Sequence, residues 1–162
     1  MRVLISFFFL IFSISVRADC GLERENGVVI DNINMLQWQA CPYGMKWIDG
    51  QGCQGNSEPL TLIEAMDIAK KMGQGWRVPD IEELALLANT NCRGDSINKE
   101  LLPLPSDSGD DTALFWSATK IQSMPYLYFT FDLLNKRIDG HTEKMAYSVR
   151  FVRYFNSTEI LF

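Results

Sequence analysis

Two stretches of the chain carry apolar residues at helical spacing. From Leu62, the positions Ala65, Met66, Ala69 and Met72 recur at steps of three and four, with Glu64, Asp67, Lys70 and Lys71 mostly off that stripe. The pattern predicts an amphipathic helix with one face on a core. Thr61-Leu62-Ile63-Glu64 has capping-box spacing, in which Thr61 and Glu64 satisfy each other's backbone N–H, and Gly73 closes the C-terminus. The second stretch repeats the device: Asp80 caps a helix through Glu83, and Ile81, Leu84, Ala85, Leu87 and Ala88 form its buried side before Asn89 to Asn91 end it. Acidic residues in that first turn also suit the helix dipole.

Elsewhere the spacing is that of strands. Val28-Val29-Ile30 and Met35-Leu36-Gln37-Trp38, joined through Asp31 to Asn34, predict an opening hairpin. Residues 114–119, 126–131 and 146–153 are aromatic and β-branched and predict three further strands. In the last of these, Val149, Phe151 and Val152 cannot all share one face. Asp139-Gly140-His141 reads as a turn between strands, and Leu102 to Thr112, rich in Pro, Ser, Asp and Gly, as a long loop. The expected architecture is α+β: two amphipathic helices packed on an antiparallel sheet.

The N-terminus has a different pattern. Met1-Arg2, an apolar run from Val3 to Val16, and Val16-Arg17-Ala18 have the layout of a secretory signal peptide cleaved after Ala18. The run is too short for a hydrocarbon core of about 30 Å, so no membrane span is expected once it is removed. Asp19 rather than a small residue precedes Cys20, which disfavours lipidation. Residues 19–162 contain no repeat or linker and read as one domain. The expected location is periplasmic or at the cell surface.

Composition narrows the function classes. Over 162 residues, 15 basic against 20 acidic side chains give a net charge of −5. Removing Arg2 and Arg17 with the signal leaves 13 against 20, a charge of −7. That sign argues against a nucleic-acid partner. In an oxidising compartment the four cysteines are expected as disulfides. Cys20, Cys41, Cys53 and Cys92 allow three pairings. Loop economy favours Cys41 with Cys53, because Pro42, Gly44, Gly50 and Gly52 lie between them, and leaves Cys20 with Cys92. A zinc site is disfavoured by the lack of any CxxC pair and by a single histidine, His141.

Trp76-Arg77-Val78-Pro79 leads into the second helix. Trp76 serves as an apolar anchor, Val78 as a core residue, and Pro79 forces an extended residue before the helix opens. The Arg77 guanidinium has two roles open to it: a fork-like pair with Glu83, stitching the helix start to the sheet, or a ligand contact. The stitching role is favoured, and Arg150 and Arg153 carry the same ambiguity.

Taken in order, Met35 to Cys41, Gly44 to Trp47, Cys53 to Gly55, the Thr61 helix, Gly75 to Leu84, Phe115 to Thr119 and Val149 to Arg153 resemble the C-terminal domain of the Legionella collagen-like adhesin. The family pattern usually has Leu at Val78, Thr or Asn at Asp80, Ser at Ala118 and Cys at Phe151. The resemblance implies a C-type-lectin-like fold, related to sulfatase-modifying enzymes, on which the two disulfides expected from the cysteines would sit. The chemistry of those enzymes needs reactive cysteines near the C-terminal end, and this chain has none after Cys92. The family's association with glycosaminoglycans fits poorly with a charge of −7.

No nucleophile elbow, P-loop or His-Glu-x-x-His motif is present. The expected function is that of a non-catalytic binding or adhesion module for a glycan or surface protein, and a homo-oligomer is compatible with it. Tyr43, Trp47, Tyr126 and Tyr128 are the candidate contact residues, since sugar rings stack on aromatic faces; Trp116 is expected in the core. An accessory subunit of a pilus or secretion assembly is the rival, and an unrecognised enzyme of the sulfatase-modifying type a third reading. The only cofactor weighed is Ca²⁺ at Asp107, Asp110 and Asp111, where a solvated loop is preferred to a metal site. Glu58-Pro59 echoes a lectin sugar-binding signature, but Leu60 replaces its amide.

Overall fold

The computed structural model describes residues 21–89, 102–105 and 111–155. The predicted signal peptide, Cys20, Cys92, Asp107 and Asp110 lie outside the described residues.

The fold opens with a three-strand meander, not a single hairpin. β1 (Leu22–Glu25), β2 (Val28–Asp31) and β3 (Leu36–Gln39) run antiparallel, and the last strand, β11 (Val152–Tyr154), adds beside β3. The strand missed by hydrophobic pattern is fixed by Asn26-Gly27, whose φ angles of 48° and 80° make the tight turn between Glu25 and Val28. Asn-Gly is the dipeptide best suited to that left-handed pair.

Helix α1 (Leu62–Met72) and helix α2 (Ile81–Ala88) begin where their caps predict. Both capping boxes form: Glu64 N–H donates to the Thr61 hydroxyl while its carboxylate accepts from Thr61 N–H, and Asp80 and Glu83 do the same. The stripe of α1 differs in one member. Leu62, Ala65 and Ala69 are buried, but Met66 lies on the flank and is exposed, and Ile68 packs inward instead.

A second sheet is made by β7 (Leu114–Lys120), β8 (Leu127–Asp132) and β9 (Arg137–Thr142). Asp139-Gly140-His141 therefore sits within β9, not in a turn; its register partners run from Leu127 to Asp132 on β8. The turn lies just before it, and it repeats the one between β2 and β3. Asp31 accepts from the backbone N–H of Ile33 and Asn34 and from the Asn34 amide; Asp132 accepts from Leu134, Asn135 and the Asn135 amide. The next residue, Met35 or Lys136, takes a φ of 54° in each case. Short polar side chains that bond to the backbone two and three residues on make such turns. For Asp132, burial alone would raise the carboxyl pKa; hydrogen bonds from Ala113, Asn135 and Leu134 outweigh it, and the pKa is lowered.

Two small ribbons complete the set: β4 (Lys46–Ile48) with β5 (Gly52–Gln54), and β6 (Leu60–Thr61) with β10 (Ala146–Tyr147). The predicted strand 146–153 is broken between β10 and β11. Its middle joins no regular ladder, because its backbone groups go to several elements: Ser148 bonds to Leu114 and Trp116, the Val149 carbonyl accepts from Tyr43, and the Phe151 carbonyl from Gln39.

The core is double. Leu22, Val29, Leu36, Trp38, Leu84, Leu87, Phe115, Phe131 and Val152 form one cluster with α2. Leu60, Leu62, Ala65, Ala69, Val78, Trp116, Val149 and Phe151 form the other with α1. Consecutive Phe115 and Trp116 point to opposite faces of β7, so this strand divides the two. The same alternation resolves the crowding of the last segment: Val149 and Phe151 face one cluster, Val152 the other.

Candidate functional site

The Arg77–Glu83 fork forms. Arg77 Nη1 donates to Glu83 Oε2 at 2.7 Å and Nη2 to Oε1 at 2.5 Å. The Glu83 Oε2 that receives Nη1 also accepts from Asp80 N–H, so one carboxylate caps α2 and neutralises the arginine. The bond to Glu83 raises the Arg77 pKa above its ordinary value against the opposing effect of burial. Desolvation raises that of Asp80. The Arg77 backbone exchanges two hydrogen bonds with Val152, which joins the pre-helix segment to β11. Buried Pro79 lends its carbonyl to Ala118 N–H. These residues hold α2 to both sheets.

Glu83→Gln is expected to cost about 2 kcal/mol, the range of hydrogen bonds to charged groups. The Arg77 side chain is 31% exposed, so water compensates part of the loss that a fully buried pair would show. A urea titration checks this, and a change within 0.5 kcal/mol, about the scatter of neutral surface substitutions, would remove the fork from the account of stability.

Arg150 is fully buried. It lies before β11 rather than in it, donates to the Gln39, Ala40 and Pro103 carbonyls, and sits over the Phe115 ring at 5.7 Å. Burial pushes its pKa down to about 9, which leaves it charged at neutral pH. Arg153 on β11 donates to Gln37 Oε1 at 2.5 Å and to Gln74 Oε1 at 3.2 Å, with its guanidinium 4.8 Å from the Trp76 ring centroid. Trp116 is in the core, as expected, and its indole N–H donates to the Leu60 carbonyl at 2.8 Å.

The Cys41–Cys53 disulfide is present, with Cα atoms 5.6 Å apart. It fastens β5 to the end of β3, and with it the β4–β5 ribbon that carries Trp47. Beside it lies an open cleft of about 260 Å³, lined by the Asn26-Gly27 turn, Val28, Gln39, Cys41, Met45, Trp47 and Trp76. Its two tryptophans come from different halves of the molecule. Trp47 packs against the first core cluster and Trp76 against the second.

Both rings are fixed from outside the lining. Trp47 N–H donates to Asp49 at 2.8 Å, and the Arg24 guanidinium lies 4.1 Å from its centroid. Gly27, at a φ of 80°, lets the backbone approach; a Cβ there would stand 3.1 Å from Trp47 Cβ.

Of the four candidate contact residues, the structure brings only Trp47 to this cleft. Tyr43 is half-buried edge-on against Phe151, Tyr128 packs on the second cluster beneath Lys120, and Tyr126 is exposed between β7 and β8. Trp76, read as an anchor, is also part of the lining. Sequence reasoning missed Asn26 and Gln39. The signals were the Asn-Gly dipeptide and the alternation Leu36-Gln37-Trp38-Gln39, which turns both glutamines away from the face carrying Trp38.

His141 has neighbours that the sequence did not suggest. Its Nδ1 lies 2.9 Å from the Tyr147 hydroxyl, and its Nε2 lies 3.5 Å from Asp139 Oδ2. Burial, and then Asp139, raise the Tyr147 pKa. That hydroxyl stays protonated at neutral pH and ties β10 to β9. Asp111 is exposed and gives its carbonyl to the Asn135 amide. Among the described residues no group of three or more His, Cys, Asp or Glu side chains is placed to hold a metal, and no helix is long and apolar enough to cross a membrane.

Two capped helices on antiparallel sheets, a Trp-Arg-Val-Pro segment locked to the helix start and a disulfide beside an aromatic cleft describe an α+β domain built around recurrent motifs. A family model described as the Lcl C-terminal domain matches residues 27–153, and the chain belongs to that family. No curated protein matches the chain.

Proposed function

We propose that this chain is an exported, non-catalytic binding or adhesion module that recognises a glycan or protein at a cell surface, on a fold of C-type-lectin-like type. The observation that carries the reading is the cleft. Two partly buried tryptophans, held by flanking arginines and a disulfide, face an opening at the domain surface. Large, rigid, amphipathic rings at a surface opening are what recognition sites use as anchors. Membership of a family expected to adhere supports the same reading, and the N-terminal pattern supports export.

The test uses fluorescently labelled oxidised chain applied to intact cell surfaces. Trp47→Ala is expected to lower retention at least tenfold while leaving the thermal transition of the domain in place, and EDTA is expected to leave it unchanged. Equal retention by Trp47→Ala, or turnover of a substrate by the purified chain, would overturn the proposal.

A further inference from the structure

We infer that β9 is a homodimer interface: two copies of the chain pair their β9 strands antiparallel about a two-fold axis at Gly140, joining two three-strand sheets into one of six strands. β9 is the outer strand of its sheet and pairs, among the described residues, with β8 alone. Where β8 ends in three buried residues, β9 leaves Arg137, Ile138, Asp139 and Thr142 exposed. Ile138 keeps 55% of its surface in water. A strand edge of this kind is a template for another strand. The pairing does not depend on what the cleft binds.

The outward backbone groups belong to the even-numbered residues. Gly140 N–H donates to the carboxylate of Asp139 at 2.7 Å, and the Thr142 carbonyl accepts from Met145 in the turn that follows. Alternate residues of an antiparallel strand direct their N–H and C=O to the same neighbour, so Ile138 shares the outward set. A symmetric pair must match even residues with even ones, which leaves three registers within the strand.

Charge and backbone shape separate them. An axis at Asp139 sets two carboxylates directly opposite each other, which is destabilising. An axis at Ile138 runs the ladder into Lys136, whose φ of 54° belongs to the turn, so only three residues can pair. An axis at Gly140 uses the whole strand. Ile138 then falls opposite Thr142 of the second copy, Asp139 opposite its His141, and Arg137 opposite its Glu143, just past the strand end. Among the described residues neither the Arg137 guanidinium nor the Glu143 carboxylate has another hydrogen-bond or ion-pair partner. The two-fold axis repeats each contact and closes the assembly at two chains.

The test is the mass of the oxidised chain, by light scattering and sedimentation equilibrium, from low to high micromolar concentration. The mass is expected to rise from one chain to two and no further. Arg137→Glu brings like charges together at two symmetric places, and should raise the dimer dissociation constant at least tenfold. Adding Glu143→Arg to it should restore most of the loss, which a merely structural role for either residue would not do. Ile138→Pro removes an outward N–H that β8 does not use, and should abolish the dimer. If that variant fails to fold, the exposed charge pair still decides the matter. A single-chain mass at every concentration, a trimer, a dimer indifferent to Arg137→Glu, or a charge swap that restores nothing overturns the inference.

Discussion

Replacing Arg150 with methionine is expected to destabilise the domain by about 4 kcal/mol, the net cost of leaving buried carbonyl acceptors without a donor. The side chain is fully buried, with no carboxylate partner among the described residues. It is held by backbone carbonyls of Gln39, Ala40 and Pro103. Methionine conserves most of the volume, so the cavity contribution is small. What remains is the desolvation of three abandoned acceptors, at about 1–3 kcal/mol each. That cost is partly offset by relief from burying a cation. With a urea m-value of about 2 kcal/mol/M, the midpoint should fall by about 2 M. A loss under 1 kcal/mol would show that the carbonyls find other donors.

The second large effect concerns the Cys41–Cys53 bridge. Its separation is 12 residues, and opening it by the Cys41→Ser, Cys53→Ser double substitution should cost about 3 kcal/mol through the entropy of the unfolded chain. The expected fall in melting temperature is roughly 10 °C for a domain of this size. Neither cysteine is a member of the two core clusters, so the domain stays folded at room temperature. The β4–β5 ribbon, which has no ladder to another strand among the described residues, loses its covalent tether, and Trp47 is left held by packing alone. Melting temperature and tryptophan emission report the two consequences separately. An unchanged melting temperature would contradict the first, and an unchanged Trp47 environment the second.

Much of this was legible in the amino-acid sequence, and what was not has identifiable causes. Both helices are read from Thr61–Glu64 and Asp80–Glu83 because a capping box is a local device with fixed spacing. The Arg77–Glu83 fork is readable for a related reason, as six residues and one helix turn bring the two groups together. The fate of residues 146–153 is not local. Whether Ser148 to Phe151 joins a ladder depends on where Leu114, Tyr43 and Gln39 arrive from distant parts of the chain.

The cleft is harder still, since Asn26, Gln39, Trp47 and Trp76 are spread over fifty positions. Residue type alone cannot tell Trp47 at an opening from Tyr43 packed against Phe151. Asp139-Gly140-His141 has the composition of a turn yet lies inside β9, because the bend is made by Asp132 to Asn135, which ends four residues before Asp139.

The placement of Phe115 and Trp116 back to back on one strand has a thermodynamic corollary. Neither half of the interior is sealed without the other, because the wall between them is a single β7 whose two sides are both occupied. Slow amide exchange in α1 and in α2 should therefore respond together to denaturant, as a chain that melts in one step, and a fragment keeping only one helix would have no interior to close around.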